Sequence, residues 1–225
     1  MNIYLDIETA ATTREDIIAR VTADIRPPAN YKKEESIKEW WASHGEIAKT
    51  EAISKTALSG LWGHIVAIGF ALNDGEPHVV TANDEASLIE GFEMMLRAEV
   101  ESELGPHGLG WEHRALWVGH NIEGFDLRYI WQRARIVGAQ FSISLPVERQ
   151  YAARRFDTMV EWAGWGNRVK QRDLELAFGL ERNDPLENGG ADVHQALQEG
   201  RIKDVVAHCR EDIRLVREIY KRIVG

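Results

Sequence analysis

Cysteine is almost absent from this sequence, which has a single one, Cys209, in 225 residues. A lone cysteine excludes a disulfide within the chain and leaves a zinc-thiolate site without its second thiol. Cys209 falls within an apolar helical pattern, so we expect it to be a small buried hydrophobic residue.

Long apolar runs are also missing. No stretch is long enough to cross a membrane, and charged residues interrupt the N-terminal positions, unlike in a signal peptide. We therefore expect a cytoplasmic protein with no membrane partner. The hydrophobic fraction of 44% is enough for a sizeable core, and 225 residues fit a single domain, residues 1–225.

Basic residues are outnumbered, with 27 lysines and arginines against 36 aspartates and glutamates and a formal net charge of -9. This balance argues against tight, sequence-specific binding of duplex nucleic acid, which normally needs a basic surface. Local basic density occurs in two places, at Arg149, Arg154, Arg155 and at Arg168, Lys170, Arg172. Ordinary solvated surface is the simpler interpretation of both.

An apolar run near the N-terminus carries two acids and is typical of a strand, Ile3-Tyr4-Leu5-Asp6-Ile7-Glu8-Thr9. Strand side chains alternate, so Asp6 and Glu8 lie on one face, and Leu5 and Ile7 on the other. Two neighbouring like charges in a core sheet repel and are costly to desolvate, and a divalent cation between them would remove that cost. The alternative is an exposed edge strand, on which the pair needs no cation.

A third acid lies at a strand-to-helix junction. Residues 115–120 predict a buried strand, and residues 125–137 carry apolar side chains at helical spacing. Asp126 therefore lies in the first turn of a helix. The helix dipole favours an acid there, so Asp126 alone is equally well explained as a terminal charge.

Residues 203–224 predict one long amphipathic helix. Its apolar stripe consists of Val205, Cys209, Ile213, Val216, Ile219, Tyr220 and Ile223. Asp212 lies inside the arc of this stripe, and His208 lies one turn earlier at its edge. A carboxylate that faces a core needs a partner or a metal ion, and a simple pair with His208 is the alternative to a functional site.

Taken in order, these stretches read D-x-E on the first strand, N-x-x-x-F-D at the strand-to-helix turn and H-x-x-x-D on the last helix. They bring together four acids, Asp6, Glu8, Asp126 and Asp212. An oxygen-rich site of this kind suits hard divalent ions such as magnesium or manganese. Two such ions about 3.5–4 Å apart can clamp a phosphodiester.

In these residues the chain resembles the DEDD superfamily of 3′-to-5′ exonucleases, which have an RNase H-like fold. The resemblance is carried by Asp6 and Glu8, by His120-Asn121 with Phe125-Asp126, and by Asp212. It continues through residues 156–158, 173–180 and 190–201. Residues 57–70 resemble the second strand of such exonucleases from phages and bacteria, and the resemblance is weakest over residues 11–56.

The resemblance implies a metal-dependent 3′-to-5′ exonuclease that releases nucleoside 5′-monophosphates from nucleic acid with a free 3′ end, with single-stranded DNA favoured. Two Mg²⁺ or Mn²⁺ ions would be its cofactors. Asp6, Glu8 and Asp212 would hold the first ion, and Asp6 and Asp126 the second.

The same resemblance implies a pocket for the terminal nucleotide, shaped by Thr9, Asn121 and Phe125. We add a further hypothesis from the linker at residues 59–63, which leads into the second strand and lies near Asp6 in the expected topology. Its Trp62 or Leu61 would wedge against the terminal base.

His208 departs from both patterns of the family. Members with a histidine usually have four residues between it and the last aspartate, whereas members with three residues there usually have a tyrosine. Here three residues separate His208 from Asp212. We infer that His208 replaces the tyrosine, either as the base that takes the proton from water or as a group that orients the water.

If His208 is the base, we expect activity to fall as the pH drops through about 6, a value that nearby metal ions shift. The rate of hydrolysis measured from about pH 5 to 8 tests this expectation. A flat profile would count against His208 as the base.

The remaining segments complete an α/β protein with a mixed five-stranded sheet flanked by helices. A helical insertion at about residues 11–60 separates the first two strands, with helices at 13–21, capped by Thr12 or Thr13, and at 32–54. The second contains Trp40-Trp41, which either pack in the core or stack on bases.

After the insertion, Asn73-Asp74-Gly75 predicts a hairpin turn that pairs residues 64–72 with residues 76–81. A helix follows from about residue 85 to 104, capped by Asn83 or Asp84. Its predicted core face consists of Leu88, Phe92, Met95 and Leu96. A short strand is expected at residues 155–157.

Three alternatives stay open. One is an RNA exonuclease of the same fold, since nothing in the sequence identifies a reader of the 2′-hydroxyl. An endonuclease on an RNase H-like scaffold is disfavoured by the histidine and aspartate one turn apart on the last helix. The third is an inactive relative that binds single strands, against which the presence of all four acids argues. The oligomeric state is not predicted.

Overall fold

The computed structural model describes residues 1–186 and 189–225, apart from the side chains of Pro106, His107 and Ala191. The chain forms two compact units, one of Met1–Glu8 with Ile65–Gly225 and the other of Thr9–His64. Nowhere in the described residues does a helix combine the length and the apolarity needed to span a bilayer.

A five-stranded sheet is the framework. In the order β3-β2-β1-β4-β5, it contains β1 (Asn2–Ala10), β2 (His64–Leu72), β3 (His78–Val80), β4 (Leu116–Gly119) and β5 (Arg155–Asp157). β4 pairs parallel with both β1 and β5, with Ile3 beside Trp117 and Val118 beside Phe156. β2 and β3 are antiparallel. The predicted mixed sheet is therefore confirmed.

The hairpin between β2 and β3 forms at the predicted turn, but its second strand is shorter than residues 76–81. Asn73 takes a left-handed φ of 45°, and the N–H of Gly75 donates to the carbonyl of Leu72 over 2.7 Å. Pro77 has no N–H to give to a sheet, so the strand begins only at His78.

The smaller unit, Thr9–His64, is helical, which confirms the predicted insertion. It contains α1 (Glu15–Ala23), α2 (Glu34–Ser54) and a 3-10 turn at Lys55–Leu58. Both helices begin two residues later than expected. The N-cap of α1 is Arg14, not Thr12 or Thr13, because the Thr12 hydroxyl accepts from the N–H of Arg14 at 3.2 Å, ahead of the helix.

The two adjacent tryptophans of α2 differ in their surroundings. Trp40 is buried, and its ring centroid lies 6.5 Å from that of Tyr31 and 5.9 Å from that of His44. Trp41 is 36% exposed. Of the two tryptophans, only Trp40 is therefore buried as core packing predicts.

Helices cover both faces of the sheet in the larger unit. They are α3 (Glu85–Leu104), α4 (Asp126–Val137), α5 (Thr158–Ala163), α6 (Gln171–Phe178), α7 (Gly190–Gln198) and α8 (Ile202–Val224). Ile3, Leu5 and Ile7 of β1 share the main apolar core with residues of α3 and α4. On the other face Tyr4 packs with Cys209 and with other residues of α8, against which α5, α6 and α7 pack.

The predicted bounds of α3 are confirmed, and Asp84 is its N-cap. Its core face needs one correction, because Met95 is 38% exposed whereas Phe92 and Leu96 are buried. Ile89, which was not predicted, is fully buried. At about 100° per residue, Met95 and Ile89 lie on opposite sides of Phe92, and the core lies on the Ile89 side.

The close approach of α8 to the sheet depends on Gly69 in β2. A Cβ atom there would overlap Cδ1 of Ile213 and lie 2.6 Å from Sγ of Cys209. Ala67 and Ala71, two residues away on either side, are also small and fully buried. Small side chains on this face of β2 therefore let α8 lie directly on the sheet.

We expect Gly69→Ala to lower the free energy of unfolding by about 1–3 kcal/mol, the usual cost of overpacking a core, since α8 has to move to admit the methyl group. Chemical denaturation measures this change. Ile213→Val removes the overlapping Cδ1, so the double variant should regain part of the loss. A Gly69→Ala protein as stable as the wild type would show that α8 does not need this contact.

Candidate metal centre

The alternation of β1 places Asp6 and Glu8 on the face that α8 covers. Their neighbours Leu5 and Ile7 are buried in the opposite core, as the strand pattern predicts. Glu8 is only 5% exposed, so the pair does not lie on an open edge strand. The first two predicted acids therefore face the interior of the protein, where a lone carboxylate is costly.

α8 adds His208 and Asp212 to this face. Nε2 of His208 lies 3.4 Å from Oε1 of Glu8 and 3.4 Å from Oδ2 of Asp212. One ligand atom from each of these three residues fits within 4.8 Å of the others. Asp6, Glu8 and Cys209 meet the same criterion. Two groups of possible metal ligands thus share Glu8.

Asp126 reaches the same place from the start of α4. Its Oδ1 accepts a hydrogen bond of 3.1 Å from the backbone N–H of Ile7, the residue between Asp6 and Glu8. The turn before it contains Asn121 in a left-handed conformation with φ of 62°. The four acids that the sequence singled out therefore converge.

Asp157 fixes the turn that leads to Asp126. This buried carboxylate accepts from the N–H of Asn121 at 2.9 Å and from the N–H of Glu123 at 3.1 Å. It also caps α5 by accepting from the N–H of Met159 at 3.0 Å. The end of β5 thus holds the junction between β4 and α4.

Burial raises the pKa of each of the four acids, and repulsion within the group adds to this rise for Asp6, Glu8 and Asp126. For Asp6 the pKa lies well above its ordinary value because of desolvation first, and then because of the charges of Glu8, Asp212 and Asp126. Desolvation is also the largest cause for the other three, and it raises the pKa of Asp126 to about 7. Acids in such surroundings ionise readily only when a cation compensates them.

The donor set fits a hard divalent cation. Oδ2 of Asp6 is buried and has no hydrogen-bond partner among the described residues. Burial also raises the pKa of the Cys209 thiol well above its usual range, and a soft sulfur ligand suits a hard cation less well than the carboxylate oxygens beside it. What remains is a group of carboxylate oxygens beside one imidazole, which suits magnesium or manganese.

Arg182 was not singled out from the sequence, yet it contacts the centre. Its guanidinium lies 2.5 Å from Oδ1 of Asp212 and donates to Glu175 at 2.5 and 2.8 Å. Gln171 donates to the same oxygen of Asp212 at 3.2 Å. Together they fix the orientation of Asp212 and partly neutralise it.

Asp184 is the second residue that the sequence did not reveal. Its Oδ2 lies 2.7 Å from Nδ1 of His208, and both side chains are 3% exposed. Burial opposes ionisation of Asp184, but hydrogen bonds from Leu186 and His208 lower its pKa. The ionised carboxylate accepts a hydrogen bond from Nδ1–H of His208, which turns Nε2 towards Glu8 and Asp212.

The predicted nucleotide-contacting residues fall in both units. Asn121 and Phe125 both lie in the turn that precedes Asp126, and the ring of Phe125 lies 5.1 Å from that of Tyr129. Thr9 and Trp62 belong to the smaller unit. Their part in binding a nucleotide stays a prediction.

The chain is similar in structure to the family B DNA polymerase from the hyperthermophilic archaeon Pyrobaculum calidifontis, with a TM-score of 0.54 and 15% sequence identity over 99% of this chain. The match covers 24% of the polymerase chain, so this chain spans about a quarter of its length. No model of a protein family matches the chain, and no curated protein does. The similarity supports the RNase H-like α/β fold expected from the sequence.

Proposed function

We propose that this protein is a divalent-metal-dependent 3′-to-5′ exonuclease of the DEDD type, which releases nucleoside 5′-monophosphates from single-stranded DNA. The observation that carries the proposal is the convergence of Asp6, Glu8, Asp126 and Asp212, together with a buried oxygen, Oδ2 of Asp6, that has no hydrogen-bond partner among the described residues. The structural similarity to a DNA polymerase supports nucleic acid as the substrate class.

Asp6, Glu8 and Asp212 would hold one Mg²⁺ or Mn²⁺ ion, and Asp6 and Asp126 a second. Bound ions of this kind make water a better nucleophile and stabilise the charge on the leaving oxygen of a phosphodiester. The raised pKa values of these acids would fall to their ordinary range or below once cations are bound.

His208 would accept a proton from the attacking water at Nε2 or hold that water in line. Its Nδ1 already donates to Asp184, so Nε2 is the nitrogen that faces the carboxylates. Arg182 and Gln171 would keep Asp212 in place. In this arrangement Asp184 is a positioning residue that acts through His208.

Digestion of 3′-labelled and 5′-labelled oligonucleotides tests the proposed function on single-stranded DNA, duplex DNA and RNA. With Mn²⁺ present, we expect the 3′ label to be released first as a mononucleotide and the 5′-labelled strand to shorten stepwise. A chelator should stop both reactions. Binding without any metal-dependent release of nucleotides would contradict the proposal and favour a single-strand-binding protein that does not cut.

Asp184→Asn tests the positioning of His208. The amide keeps the size of the side chain but removes the charge that holds the imidazole, so we expect kcat to fall by about 10²-fold with little change in KM. The pH profile of kcat should also change, which a purely structural role would not produce. Glu93→Gln is a suitable control, because Glu93 is also a buried acid but lies on α3, bonded to Arg97 and Ser142. Equal kcat values and pH profiles for Asp184→Asn and the wild type would remove Asp184 from the mechanism.

A further inference from the structure

Trp165 is 92% exposed, which is unusual for the largest side chain in proteins. It lies between Gly164 and Gly166, whose φ angles of 80° and 83° are strained for any other residue. The turn is held by two hydrogen bonds of Asn167, from its N–H to the Gly164 carbonyl at 3.1 Å and from its amide to the Ala163 carbonyl at 3.0 Å. A defined turn therefore presents the indole to solvent.

This segment leads directly into the metal centre. The carbonyl of Val169 lies 2.9 Å from Nε2 of His120, and the side chain of Gln171 donates to Asp212 at 3.2 Å. Lys170, between these two anchors, lines a cavity of about 350 Å³ together with His208 and Asp212. The exposed indole and the candidate centre thus lie at the two ends of one short stretch of chain.

The charge of the stretch suits a nucleic-acid backbone. Arg168 and Lys170 are exposed, and neither forms an ion pair with any residue that the structure describes. In a protein with a net charge of -9, two such cations three and five positions after an exposed tryptophan are a local concentration of positive charge, which suits a polyanion. Stacking on an aromatic ring and contacts to phosphates are the features by which proteins hold single strands.

We propose that Trp165, Arg168 and Lys170 form a platform for the single strand upstream of the 3′ end, with Trp165 stacked on a base and the two cations along the phosphates. This inference rests on the proposed function, because a 3′-to-5′ exonuclease holds the 3′ end of the strand at the metal centre. Lys170 is five positions after Trp165 in the sequence, which is at most about 18 Å of chain. A stacked strand rises about 3.4 Å per nucleotide, so the platform contacts a base no more than about five nucleotides from the end.

Binding in the presence of a chelator tests the platform without catalysis. We expect Trp165→Ala to weaken binding of a single-stranded oligonucleotide of about ten nucleotides by roughly tenfold, and Trp165→Phe to retain most of the affinity. Arg168→Ala should reduce the slope of log affinity against log salt by about one. DNA and RNA should show the same change, because every base has a stacking face.

Leu109→Ala is the matched control, since Leu109 is an 86% exposed apolar residue on another segment. It should bind as the wild type does. Equal affinity of the wild type and Trp165→Ala, or no binding by the wild type, would overturn the platform.

Digestion separates this inference from the proposed function. With Mn²⁺, Trp165→Ala should cleave a dinucleotide at the wild-type rate but lose roughly tenfold in kcat/KM on the longer strand. If the wild type binds through Trp165 but releases no nucleotide, the exonuclease proposal fails and the platform stands. If the wild type digests both substrates and Trp165→Ala does so equally well, the platform fails and the exonuclease stands.

Discussion

Asp126→Asn is expected to lower turnover by about 10³-fold or more while the protein still folds. The Asp126 carboxylate is held against β1 by the hydrogen bond of 3.1 Å from the N–H of Ile7. Asparagine keeps an oxygen at Oδ1 for this bond but removes the charge that a divalent cation needs. The loss of turnover therefore reports on charge at the centre, separately from packing.

Release of a 3′ label measures turnover, and calorimetry with Mn²⁺ alone measures how many ions bind. Glu93→Gln is the matched control, because Glu93 is also buried but lies on α3, bonded to Arg97 and Ser142. We expect the control to keep wild-type turnover and Asp212→Ala to share the loss. Metal-dependent digestion by Asp126→Asn at the wild-type rate would exclude Asp126 from the mechanism.

The elements that carry the four acids were predictable because simple periodicities define them. Strand alternation alone put Asp6 and Glu8 opposite Leu5 and Ile7, and the helical stripe of α8 put Asp212 on the side of the core. The hairpin turn after β2 was predictable for a different reason, since Asn73 and Gly75 are residues that tolerate the backbone angles of a tight turn.

The residues that surround the acids were not predictable. Arg182 and Asp184 lie in an irregular segment between α6 and α7, where no period relates a residue to a direction. Their roles arise from contacts with Asp212 and His208, which are 30 and 24 residues away along the chain. Met95 shows a related limit within a helix. Met95 and Ile89 each lie about 60° from Phe92, and the sequence alone does not show which of the two is buried.

A second large effect is expected when Mn²⁺ or Mg²⁺ is added to the metal-free protein. A cation that binds only the folded chain stabilises it, by about 2.7 kcal/mol at a concentration one hundred times Kd. For a chain of this length that corresponds to a rise in Tm of about 5–10 °C for one ion. Two ions should raise Tm further.

The rise in Tm on adding metal should depend on pH, and the raised pKa values of the four acids determine the sign of this dependence. In the unfolded chain these carboxyls titrate near 4, whereas the folded protein keeps their protons to higher pH, up to about 7 for Asp126. The folded state then binds more protons than the unfolded state between these values. The metal-free protein therefore loses stability as the pH rises from about 4 to 7.

Other groups in the fold do not reverse this slope. Glu93, Asp184 and Glu211 have lowered pKa values, so the stability that they contribute is already complete above about 4. Burial lowers the pKa of His120, which works in the opposite direction as the pH approaches about 6.5. The difference in Tm with and without metal cancels the contribution of His120, which is not a ligand.

Thermal unfolding with Mn²⁺ and with a chelator, at about pH 5 and about pH 8, measures this difference directly. We expect the larger gain at the higher pH, because protons compete with cations for the same oxygens of Asp6, Glu8, Asp126 and Asp212. Asp126→Asn should show a smaller gain at both pH values, whereas Glu93→Gln should match the wild type. An equal gain at the two pH values would mean that Mn²⁺ binds elsewhere on the protein, since a buried cluster of protonated acids cannot take up a cation without releasing its protons.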